Sequence, residues 1–119
     1  MALSKKMLND CKIATLNILE NRQKFSDEVK VDFHINNQSI EIFERHPDKS
    51  LAKGYFDYSV AKITYVNTIQ QWRVYWMKGN LNWTSYRRVP QADTIGDALS
   101  IVDKDEDRLF WGTVVKSAT

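Results

Sequence analysis

Three of the chain's four tryptophans fall between Trp72 and Arg88, in a stretch that alternates on either side of Gly79-Asn80. Trp72, Val74 and Trp76 are separated by Arg73, Tyr75 and Met77, a period of two that fits a half-buried β-strand. Glycine at the first position of a two-residue turn suits type II′, because it takes positive φ without a Cβ clash. Counting outward from that turn sets Trp76 opposite Trp83, Val74 opposite Ser85 and Trp72 opposite Arg87 on one face. Arg73 then meets Tyr86, and Tyr75 meets Thr84, on the other. The first face is core, and the second carries cations beside aromatic rings.

The same period appears twice more. Val29, Val31, Phe33 and Ile35 alternate with Lys30, Asp32 and His34, and Asn36-Asn37 supplies residues that tolerate a type I′ turn. In that register Phe33 faces Ile40 and Val31 faces Ile42. After a polar loop from Asp48 to Gly54, a third strand runs from about Phe56 to Val66. A four-residue loop, Asn67 to Gln70, would then pair Tyr65 with Trp72, Ile63 with Val74 and Ala61 with Trp76. Val89-Pro90 should end the fifth strand, since proline cannot continue a ladder.

A helix is expected at each end of this sheet. From about Ser4 to Arg22 the apolar stripe Leu8, Cys11, Thr15, Ile18 and Leu19, with Met7 and Ala14 beside it, faces away from Lys5, Lys6, Asn9, Lys12 and Asn17. Near the other end, Thr94 with Asp97 resembles a capping box. Ile95, Ala98, Leu99 and Val102 give the apolar face of a short helix that stops near Asp103. Leu109-Phe110-Trp111-Gly112 should fold back over an edge of the core, with Val114 to Thr119 frayed. The expected fold is α+β: a five-stranded antiparallel sheet, hairpin plus meander, with the N-terminal and short C-terminal helices on one face. A cystatin-like arrangement is the nearest architecture.

At 119 residues the chain is read as a single domain, 1–119, able to bury a core without metal or disulfide staples. No apolar run approaches the ~18 residues of a membrane span. Asn9, Asp10 and Lys12 interrupt what would be a signal-peptide core. A cytoplasmic protein without membrane contact is expected. Cys11 is the only cysteine, so no internal disulfide forms, and its helical spacing makes it a small buried hydrophobe. The net charge of +2 excludes little, but its distribution is uneven. Lys62, Arg73, Lys78, Arg87 and Arg88 lie in a segment without acids, whereas Asp103, Asp105, Glu106 and Asp107 crowd together.

Catalytic and metal motifs are sparse. The acidic run opens like a calcium loop, then fails: Arg108 stands where glycine is needed, and Val114 where a bidentate carboxylate is needed. A solvated acidic turn is the expectation. His34 and His46 lie on separate elements and form no zinc set with Cys11. The isolated glycines make no phosphate loop. No cofactor is expected. Glu44, Arg45 and His46 form the one cluster able to do acid–base work, but Glu44 and Arg45 point to opposite faces of a strand, which favours a structural role. Arg73, Tyr75, Tyr86 and Arg88 would lie together on two strands, the way a sheet offers stacking rings and phosphate-pairing cations to single-stranded nucleic acid.

Phe43-Glu44-Arg45-x-Pro47, then Trp72-x-Val74-Tyr75-Trp76 with Trp83 and Tyr86, and finally Phe110-Trp111-Gly112 resemble the domain of unknown function 3024 family, in the family's order, from about Val29 to Gly112. His46 stands where the family pattern has a second arginine. The resemblance implies a short bacterial protein and lends no activity or catalytic residue. The leading expectation is a non-catalytic binding or assembly module working through the aromatic, basic sheet face. Its binding residues would be Arg73, Tyr75, Tyr86 and Arg88, with Glu44 and Arg45. A homodimer burying that face or the adjoining sheet edge is expected, because Val66, Tyr75, Met77, Tyr86 and Phe43 would otherwise leave it apolar and open. A further protein partner is the next possibility. Single-stranded nucleic-acid binding, and a small enzyme with a site around Glu44, Arg45 and His46, are the alternatives.

Overall fold

The computed structural model describes residues 3–79 and 81–112; the expected frayed tail, Val114 to Thr119, lies outside them. Helix α1 (Lys5–Gln23) begins where Ser4 accepts the amide of Met7 at 3.2 Å, satisfying one of the orphan donors of the first turn. Its buried stripe is Cys11, Thr15, Leu19 and Arg22, flanked by half-buried Met7, Ala14 and Ile18. The strands β1 (Lys30–Asn36), β2 (Ser39–Pro47), β3 (Tyr55–Val66), β4 (Gln71–Met77) and β5 (Trp83–Ser85) form an antiparallel sheet in that spatial order. A two-residue strand, β6 (Gln91–Ala92), also pairs with β4 before α2 (Ile95–Lys104). Thr94 caps α2 by accepting from the amide of Asp97 at 3.0 Å, and Asp105 ends it in the left-handed region at φ 46°.

The pairing of β3 with β4 is as expected, with Ala61 opposite Trp76, Ile63 opposite Val74 and Tyr65 opposite Trp72. The first hairpin slips by two. Its turn centres on Asn37 and Gln38 rather than Asn36 and Asn37, so Phe33 meets Ile42 and Ile35 meets Ile40. A slip of two preserves which side chains share a face, and Ile40 and Ile42 still enter the core. Between β2 and β3 the register shifts at Ile42 and Phe43, a bulge that leaves both Val60 and Ala61 buried on β3.

The hairpin after β4 departs further. Its loop is one residue longer than a two-residue turn: Lys78 donates to the carbonyl of Asn82 at 3.1 Å, Leu81 donates to Lys78 at 2.9 Å, and Leu81, not Gly79, takes positive φ. Three-residue loops of this kind end in a left-handed residue. Met77 therefore meets Trp83, Trp76 meets Thr84 and Tyr75 meets Ser85, replacing the expected pairs Trp76 with Trp83 and Val74 with Ser85. The single extra residue turns over every side chain that follows. Tyr86, expected on the outer face, is 1% exposed and packs on Phe110 with ring centroids 4.8 Å apart.

The ladder is also interrupted sooner than Pro90. The amide of Tyr86 donates to the carbonyl of Val74, and the amide of Val74 donates to the carbonyl of Pro90, both at 3.0 Å. One residue normally supplies both groups; here Arg87, Arg88 and Val89 loop out between the two that do. Proline lacks only the donor, so its carbonyl serves, and pairing resumes with Ala92 opposite Trp72, where Arg87 was expected.

Both helices pack on the face that carries Ile40, Ile42, Ile63, Trp72 and Val74, joined there by Phe110 and Trp111. Fully burying one such side chain is worth roughly 1.5–3 kcal/mol. Among the described residues no helix is long and apolar enough to cross a membrane.

Candidate functional site

Outward-facing residues of the sheet follow from the alternation. On β4, Trp72 and Val74 are buried while Arg73 is exposed and Tyr75 and Met77 are half-buried. Cross-strand pairing sets Thr64 beside Arg73, Lys62 beside Tyr75 and Trp83 beside Met77. Glu41 lies next to Lys62 and bonds His34 at 3.3 Å, and Phe43 stands between Asp32 and Ser59. The face thus combines half-exposed rings with charges of both signs.

The four residues expected to bind nucleic acid do not form one surface. Arg73 and Tyr75 lie on the outer face. Tyr86 is in the core, and its hydroxyl sits against Asp107, with burial raising its pKa above the ordinary tyrosine range. Arg88 is paired with Asp107, through Nε at 3.0 Å and Nη2 at 2.5 Å, and with Glu106 at 3.5 Å. That pairing moves Arg88 from the expected sheet face to the C-terminal end of α2. The longer β4–β5 loop turns Tyr86 inward, and the looping-out of Arg87 to Val89 from the ladder frees Arg88 to reach Asp107 and Glu106.

Glu44 and Arg45 do point to opposite faces. Outside, Arg45 forks onto Asp57 at 2.8 and 3.0 Å and lies over the ring of Tyr55 at 4.0 Å, an arrangement that holds the Asp57 carboxyl below the usual carboxylate range. Inside, Glu44 is fully buried. One of its oxygens meets Nε2 of His46 at 2.8 Å, and the other accepts the amide of Gly112 at 3.0 Å. His46 is stacked on Phe56, with centroids 5.0 Å apart.

Sequence reasoning missed Arg22. Its guanidinium is buried, donates to the carbonyl and carboxylate of Asp103 at 2.7 and 3.2 Å, and lies 4.2 Å over the ring of Trp111. Burial lowers its pKa, and the charges of Asp103, Asp105 and Glu44 oppose that fall. A signal was present, since Arg22 continues the spacing of Thr15 and Leu19 on the buried stripe.

The acidic run is a solvated turn only at its exposed end, Glu106 and Asp107. Asp103 takes Arg22; Asp105 gathers the amides of Leu109, Phe110 and Trp111 at 2.8 to 3.2 Å; Glu106 and Asp107 take Arg88. Trp111 completes the arrangement by donating its indole nitrogen to the carbonyl of Val102 at 2.9 Å. Asp105 thus holds the loop after α2, Asp103 ties the helix end to α1, and Glu106 and Asp107 tie it to the segment before β6. Among the described residues no group of three or more His, Cys, Asp or Glu is placed to hold a metal ion.

The molecule is thus an α+β protein with both helices on one side of an antiparallel sheet and its acidic cluster engaged in closing the core. Residues 5–112 match the model of the family described as Domain of unknown function (DUF3024), and the chain belongs to that family. No curated protein and no solved structure matches it. The segments that carry the family resemblance, Phe43 to Pro47 and Phe110 to Gly112, meet in space through Glu44 and the amide of Gly112.

Proposed function

We propose that the chain is a non-catalytic binding and assembly module that works through the outer face of its sheet, with a second copy of itself as the partner. The observation that carries this reading is the placement of both helices on the opposite face, which leaves Tyr75, Met77 and Trp83 only half-buried beside Lys62 and Arg73. Charges of both signs support a self-complementary contact: a two-fold axis can set Lys62 or Arg73 of one copy against Glu41 of the other, relieving the repulsion between like cations. The engagement of both Glu44 oxygens in holding His46 and Gly112 supports a non-catalytic role for that cluster. A cystatin-like architecture is part of the proposal, supported by one long helix preceding a simple antiparallel meander. A cytoplasmic setting fits the single buried thiol.

Light scattering at micromolar concentration tests the reading. The expected mass is twice the 13.9 kDa of the chain, falling to the single value in Tyr75→Glu and Trp83→Glu variants. A monomeric native protein would overturn the self-association. If that monomer also held a single-stranded oligonucleotide in a salt-dependent way, and lost it in Arg73→Ala, the face would belong to nucleic acid instead.

A further inference from the structure

A cleft of about 400 Å³ runs along α2, between that helix and the segment from Arg88 to Asp93. Apolar Val89, Ala92 and Ile101 line part of it with Tyr86, and the rest is polar. Asp97 and Lys104 both line it, seven residues apart on α2. Seven residues are two turns, so they stand on one side of the helix with backbones about 10 Å apart. Neither forms an ion pair among the described residues. Asp93, just before the cap of α2, adds a second carboxylate to the Asp97 end. At the other end Arg88 is already engaged by Asp107 and by Glu106, a lining residue whose charge that pairing offsets, and Lys104 is left as the available cation. The cleft therefore carries, unpaired among the described residues, the carboxylate of Asp97 at one end and the ammonium of Lys104 at the other; Gln71 holds Asp93 through its amide nitrogen at 2.5 Å, which leaves its oxygen and the whole amide of Gln91 to whatever lies between.

We propose that this cleft binds a small zwitterion whose ammonium and carboxylate groups lie on the order of 10 Å apart, the ammonium on Asp97 with Asp93 and the carboxylate on Lys104. Charge-assisted hydrogen bonds at both ends would fix its direction, and the apolar lining would accept its middle. An extended peptide of three residues has this length, at roughly 3.5 Å per residue. A long ω-amino acid has it too. The proposal is independent of the outer sheet face.

The test is an amide chemical-shift titration of the intact chain with triglycine, N-acetyltriglycine, triglycine amide and 8-aminooctanoate. Saturable shifts at Ala92, Ile101 and Lys104 are expected with triglycine, at least tenfold weaker when either terminus is blocked. They are also expected to vanish in Asp97→Asn and Lys104→Met. Both positions are exposed, and Ser100→Trp, which fills the cleft without changing its charge, should abolish binding as well. Equal affinity for 8-aminooctanoate would mean that the termini alone are read; tenfold weaker affinity would mean that Gln71 and Gln91 read peptide amides. The proposal is overturned by the absence of saturable shifts at about 10 mM of either free zwitterion, a concentration that exposes even millimolar affinity. It is equally overturned if blocked peptides bind as well as free ones, or if the charge variants bind as the native chain does.

Discussion

Glu44 accepts the amide of Gly112 at 3.0 Å across 68 positions of chain, and the two approach so closely that no side chain fits between them. A Cβ on Gly112 would lie 2.9 Å from Oε1 of Glu44 and 3.2 Å from the ring of Tyr58. Since Glu44 is also tied to His46, the carboxylate has little room to retreat. Gly112→Ala is therefore expected to cost about 1–3 kcal/mol, the range for overpacking a closed site. Urea unfolding measures it, and an unchanged midpoint would show that the loop shifts freely.

Arg22 is the cation around which the end of α2 closes. Arg22→Met should destabilise by about 1.5–3 kcal/mol, because the charge-assisted hydrogen bonds from the buried guanidinium to Asp103 are lost. Arg22→Lys should recover only part, since an ammonium cannot reach the Asp103 carbonyl and carboxylate while stacking on Trp111. Lysine as stable as arginine would show that the planar stack contributes nothing.

Leu81 holds φ at 64° while 80% exposed, so it bears backbone strain without packing in return. The left-handed region costs an ordinary residue about 1–2 kcal/mol, and glycine gives back roughly 0.5–1 kcal/mol through its freer unfolded chain. Leu81→Gly should thus stabilise by up to about 1 kcal/mol. Thermal or urea denaturation would reveal the opposite sign if Leu81 were gripped by a partner.

Two arginine–carboxylate pairs contribute to acid stability. Hydrogen bonds from Arg45 and Arg88 hold the Asp57 and Asp107 carboxyls below the ordinary carboxylate range. A folded-state pKa below the unfolded value of about 4 contributes stability above that value, which is lost as pH falls through the folded one. The urea midpoint should therefore drop between about pH 4 and pH 2, and drop less in Asp57→Asn/Asp107→Asn. A double variant that falls as far as the native protein would exclude these pairs.

Cys11 is fully buried, and burial, with a smaller effect from the charge of Asp10, pushes its thiol up to about 11. At pH 8 the thiolate fraction alone predicts reaction with a disulfide reagent on the order of 10²-fold slower than a free thiol. The reaction should reach the free-thiol rate once urea unfolds the chain. Fast labelling under native conditions would mean that α1 opens locally.

What was legible in the sequence was the local periodicity and the chemistry of the helix starts. Ser4 and Thr94 cap where an orphan amide needs an oxygen, and the alternation of β3 and β4 set their pairing because a register error of one would have buried Lys62 and Arg73. The opposite orientations of Glu44 and Arg45 came from the same parity, but the partners of Glu44 did not, since nothing local points from residue 44 to residue 112. The face of Tyr86 depended on a single loop residue. Gly79-Asn80 favours a short turn by an amount comparable to one local interaction, whereas burying the ring of Tyr86 against Phe110 is worth more, roughly 1.5–3 kcal/mol plus the ring contact. Only the folded chain brings Phe110 to that place, so the tertiary packing, not the turn sequence, decided which way the fifth strand faces.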